Sequence, residues 1–75
     1  MNKKDAKIIE DAERDGIPIF VITAKDVCSV EALENYYVDC ASEGCSKEHL
    51  AGINERTDEF KEWQMNNPDK VHLPD

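Results

Sequence analysis

Residues 38–49 read VDCASEGCSKEH and bring Cys40, Cys45 and His49 close together along the chain. Thiolate and imidazole are the ligands of tetrahedral zinc, bound at about 2.0–2.3 Å. If Cys40 ends one helix and His49 opens the next, the three can reach a common point, and Cys28 would complete a Cys3His set. A plainer reading competes with this one. No C-x2-C knuckle is present, and Cys40 falls on an apolar stripe with Leu33 and Tyr37, where a free cysteine acts as a small hydrophobe. Cys45 then belongs to an ordinary interhelical turn. The sequence therefore predicts no bound metal and no cofactor, with Cys28, Cys40, Cys45 and His49 as the residues to examine if an ion is held.

Other chemistry finds less support. Cys28 precedes a helix start, where partial positive charge favours a thiolate, and His49 or His72 could serve as its base. Nothing in the sequence places either histidine near it, and a chain of 75 residues offers little room for a substrate cleft. The expectation is a non-enzyme. No glycine-rich phosphate loop, aspartate-rich calcium loop or His-Glu-x-x-His pattern occurs.

The elements that must position these residues follow from periodicity. Residues 1–15 are rich in Lys, Asp, Glu and Ala with Ile8, Ile9 and Ala12 as an apolar ridge, which predicts a helix stopped by Gly16. Residues 17–22, IPIFVI, are β-branched and aromatic, which predicts a short extended strand. A lone strand cannot satisfy its own backbone groups. Its partner is expected to be KVHL at 70–73 or another chain. From Val30 the apolar residues Val30, Leu33, Tyr37 and Cys40 fall on one face of a helix over 29–43, with Tyr36 on its flank. Gly44 supplies a stop, Ser46 a cap, and Leu50, Ile53, Thr57, Phe60 and Trp63 the inner face of a helix over 46–66. The tail, 70–75, is expected to be extended, with Val71 and Leu73 packing back on Trp63. The fold class is mainly α: a small single domain, 1–75, with an N-terminal helix, one short extended segment, a helical hairpin and an extended C-terminal tail.

Composition excludes several partners. The chain carries 17 acidic against 9 basic side chains, a formal net charge of -8. Nucleic-acid binding needs a basic footprint, so neither direct nucleic-acid contact nor adhesion to an anionic membrane is expected. No apolar run is long enough to span a bilayer, and the N-terminus lacks the apolar centre of an export signal. A cytoplasmic location with reduced thiols is expected. The acidic groups Asp11, Glu13, Asp15, Asp58, Glu59 and Glu62 could imitate a phosphate backbone and block a DNA-binding protein, or they could simply be solvated helix faces.

From Pro18 onward, PIFVITAKD (18–26), EFKEWQ (59–64) and KVHLPD (70–75) resemble a loose family of small uncharacterised proteins found in phage, prophage or mobile-element neighbourhoods of bacteria. The resemblance implies a small accessory protein and transfers no activity. The leading expectation is a non-catalytic protein-interaction module that buries apolar surface around the strand, through Ile19, Val21 and Tyr36, on an unknown protein partner or in a homodimer. The alternatives are a zinc-stabilised domain and an acidic nucleic-acid mimic.

Overall fold

The computed structural model describes residues 2–74 and is mainly helical, with α1 (Lys3–Asp15), α2 (Ser29–Glu43), α3 (Lys47–Asn66) and a single 3-10 turn, Pro68–Lys70. Each long helix starts and stops for a local reason. In α1 the Asn2 side chain accepts from the Asp5 amide at 2.8 Å, and Gly16 adopts φ 67° to end the helix. In α3 Ser46 Oγ accepts from the His49 amide at 3.1 Å, and the Asn67 side-chain amide donates to the Trp63 carbonyl at 2.9 Å. Such caps satisfy donors and acceptors that a helix end leaves orphaned.

Helices α2 and α3 form the expected hairpin, and their seam is the core. Cys40 and Ile53 are buried in it, flanked by half-buried Leu33, Tyr37, Leu50, Phe60 and Trp63. Buried Thr57 donates its hydroxyl to the Ile53 carbonyl at 2.8 Å, so it leaves no orphaned group. Helix α1 stands apart. None of its Cα atoms comes within 8 Å of a Cα in another helix. It is tied across by Asp5, whose carboxylate meets the Arg56 guanidinium of α3 at 2.7 Å.

The extended pieces depart from expectation. No strand forms among the described residues. Residues 17–22 are open chain, and Ile19 to Ile22 have no backbone partner among the described residues. The C-terminal tail pairs instead with the turn before α2, where the Val27 amide donates to the His72 carbonyl at 3.0 Å and the His72 amide to the Lys25 carbonyl at 2.9 Å. That turn is pre-shaped by Asp26, whose side chain accepts from the Cys28 amide at 2.7 Å and whose carbonyl accepts from the Ser29 amide at 3.0 Å. It leaves Lys25 and Val27 facing the tail, so KVHL finds a partner next to IPIFVI rather than on it. Val71 is half-buried, but Leu73 is exposed and does not pack on Trp63 as expected. Asp75, the last residue of the expected tail, lies outside the described residues, as does Met1.

One side chain holds this corner together. The Gln64 amide donates to the carbonyls of Ala24 at 3.0 Å and Asp26 at 3.4 Å and to the Ser29 hydroxyl at 3.2 Å. Ser29 is wholly buried, and this bond satisfies it.

Two truncations should separate the seam from the tie. Ile53→Ala removes buried volume from the seam and should cost about 2–4 kcal/mol in denaturant unfolding. Arg56→Ala breaks a half-exposed pair and should cost less than about 1 kcal/mol, while speeding amide exchange in α1 and leaving α2 and α3 unchanged.

Candidate functional site

The cysteine cluster is built by the turn between α2 and α3. Gly44 takes φ 85°, which a residue without Cβ adopts freely. Its amide donates to the Ala41 carbonyl at 3.2 Å, and the Cys45 amide donates to the Cys40 carbonyl at 3.0 Å. This paired turn draws together the side chains of the residue after the glycine and the residue five positions earlier. Those two are Cys45 and Cys40. His49 then lies in the first turn of α3, and a ligand atom from each of Cys40, Cys45 and His49 falls within 4.8 Å of the other two. Cys40 is buried, Cys45 half-buried and His49 exposed.

Tyr36 joins this group from one helical turn before Cys40, a spacing that puts both on one face. Its hydroxyl is 3.5 Å from His49 Nε2, and the two rings meet edge to face with centroids 6.1 Å apart. Hydrogen bonding to Cys40 and repulsion from its anion hold the Tyr36 phenol above its usual ionisation range. Burial, followed by the same Cys40 neighbour, pushes the Cys45 thiol up.

Cys28 does not belong to the group. It precedes α2 and is exposed, whereas Cys40 lies in the last turn of the same helix. At 1.5 Å of rise per residue the two are about 18 Å apart along the axis, so the expected fourth ligand is at the wrong end of the helix. The bases offered to Cys28 are engaged elsewhere as well. His49 is in the cysteine cluster, and His72 Nδ1 lies 2.8 Å from the Leu73 carbonyl.

The expected contact residues divide between two adjoining grooves. Ile19 and Val21 line an open groove of about 800 Å³ with Ile8, Ile9, Phe20 and Phe60. Tyr36 lines a second groove, about 420 Å³, with Leu33, His49 and Ile53. Asp5 and Arg56 border both, so the ion pair that tethers α1 also divides the surface. The most exposed large apolar residue among those described, Phe20 at 88%, lies outside the set that the sequence points to. Alternation within IPIFVI sets Phe20 opposite Ile19 and Val21, a signal that could have identified it. Of the acidic groups weighed as a phosphate mimic, Asp11 pairs with Lys7 and Arg14, Asp15 with Arg14, and Glu59 with Arg56. Half of that set already faces a cation within the chain.

Among known proteins, no family model matches this chain, and neither a curated protein nor a solved structure matches it. No helix is long and apolar enough to cross a membrane among the described residues.

Thiol reactivity should follow this geometry. In the reduced, metal-free protein iodoacetamide should alkylate Cys28 first, Cys45 more slowly because its thiolate is disfavoured, and buried Cys40 last. Peptide mapping over time reads the order, and alkylation of Cys45 before Cys28 would contradict the placement.

Proposed function

We propose that this chain is a small acidic accessory protein, non-catalytic and of the phage or mobile-element type that its sequence resembles, which works in the cytoplasm by docking on another protein. The observation that carries this reading is the segment at 17–22. It presents Ile17, Ile19, Phe20 and Val21 to solvent while the amides of Ile19 to Ile22 have no backbone partner among the described residues. An extended run with free backbone groups and apolar side chains is the form in which one protein adds a strand to another. The backbone then supplies affinity and the alternate side chains supply selectivity.

Charge favours a partner over a second copy. Two chains at -8 repel, and the groove beside the segment is bordered by Asp5 and Glu59. A surface with an apolar ridge and a basic rim complements it. Tyr36, in the adjoining groove across Asp5–Arg56, supplies the edge of the same contact, since tyrosine combines apolar area with a polar tip.

Hydrogen exchange and cross-linking test this together. In the dilute chain the amides of Ile19 to Ile22 should exchange at nearly the rate of an unstructured peptide. A photo-reactive residue at position 19 should give a discrete heteromeric product that Phe20→Asp abolishes without changing helix content. Protection of these amides in the monomer, or cross-linking indifferent to Phe20→Asp, would count against the segment as the contact surface. A product at twice the chain mass would replace the heteromeric partner with a homodimer.

A further inference from the structure

We infer that Cys40, Cys45 and His49 form a three-ligand site within one chain for a borderline-soft divalent cation of the zinc class, with its fourth position open to water beside the Tyr36 hydroxyl.

The two ends of α1 and α2 supply a comparison inside the same molecule. Both helices stop at a glycine with positive φ, and both make the same pair of backbone bonds. In α1 the Gly16 amide donates to Glu13 and the Ile17 amide to Ala12, as Gly44 does to Ala41 and Cys45 to Cys40. The turn needs only a small apolar contact between the flanking side chains, and in α1 those two places hold Ala12 and Ile17. In α2 those two places hold cysteines, and the following helix adds an imidazole to them. Burial accounts for Cys40, at 6% exposure. It does not account for an exposed histidine with a ring nitrogen within 4.8 Å of both sulfurs.

The geometry fits an ion with little movement. Bonds of about 2.3 Å to sulfur and 2.0–2.1 Å to nitrogen in a tetrahedron separate ligand atoms by about 3.4–3.8 Å. The three atoms here lie within 4.8 Å of one another, so no separation has to close by more than about 1.4 Å. Cys45 and His49, half-buried and exposed, can do this by side-chain rotation while Cys40 stays fixed in the seam. Thiolate and imidazole donors select zinc or cobalt over magnesium or calcium, which take oxygen. Cys40 and Cys45 each lose a proton to water on binding, so the ion's two positive charges replace two protons. Cys28 takes no part.

The fourth position falls on the solvent side, because Cys40 closes the buried side while Cys45 is half-buried and His49 exposed. Tyr36, 3.5 Å from His49 Nε2, is placed to hydrogen-bond a water held there and to keep the imidazole ring oriented. It acts as a positioning residue. The ion would join the end of α2 to the start of α3 across the hairpin that contains the core.

Cobalt titration of the reduced, full-length chain tests the site directly. One equivalent should give near-ultraviolet thiolate-to-cobalt charge transfer and the visible bands of a tetrahedral ion, both displaced by zinc, with native mass spectrometry showing one ion per chain. Cys45→Ser and His49→Gln should each weaken binding by more than about 100-fold, the order expected when one of three ligands is removed. Cys28→Ser should leave the spectrum unchanged, and Tyr36→Phe should keep the thiolate band. Both ligand variants avoid the buried Cys40, and circular dichroism of the metal-free forms confirms that they fold. Zinc should raise the thermal midpoint of the unsubstituted chain and leave that of His49→Gln unmoved. No thiolate band at one equivalent, a band insensitive to Cys45→Ser, a band lost in Cys28→Ser, or one ion shared by two chains would each overturn the assignment.

Discussion

The seam between α2 and α3 exists because Gly44 turns the chain back within a few residues. That reversal sets the limits for everything else. A domain of this size buries only about 60% of the surface its unfolded chain exposes, and here the buried apolar side chains among the described residues are Ala12, Cys40 and Ile53. Two of them belong to the seam. With so little apolar burial to spare, the remaining elements are attached by directional bonds: Asp5 to Arg56, Gln64 to the turn at 24–29, and His72 to Lys25 and Val27. Each bond is modest in net energy, yet each fixes where an element lies. The result is a tight hairpin carrying a loosely held arm and a pinned tail.

This division explains why the chemistry and the apolar surface occupy different places. The cysteine cluster sits where the backbone is most constrained, at the reversal itself, so its ligand atoms are organised by the same bonds that end α2. The apolar segment at 17–22 sits where the backbone is least constrained, between the arm and the pinned turn. A site for a small ion needs preorganisation, and a site for a protein can use an adaptable backbone.

Much of the helical frame was legible in the residues. Ser29 to Glu43 and the cap at Ser46 follow from the spacing of Val30, Leu33, Tyr37 and Cys40 and from the stop at Gly44, because helix formation is governed by local rules. Pairing of extended segments is not local, and there the reading failed. IPIFVI has the composition of a strand, but strand propensity measures the fit to a neighbouring strand, and no neighbour is supplied. The tail found the Asp26 turn instead, and that turn is shaped by a side-chain bond to the Cys28 amide that no periodicity displays. Gln64 was equally invisible, since one amide on a helix flank looks like any other. For the site, three of the four ligand candidates came together and Cys28 did not, although the rise of α2 already placed it at the opposite end.

The tie between Asp5 and Arg56 also has a kinetic meaning. These residues are 51 positions apart in the chain, whereas the hairpin joins neighbours through a turn of a few residues. Closing a long loop has an entropic cost that short-range contacts avoid, and chains dominated by local contacts fold fastest. The hairpin therefore forms first and offers Arg56 as a fixed point on which the N-terminal arm settles last.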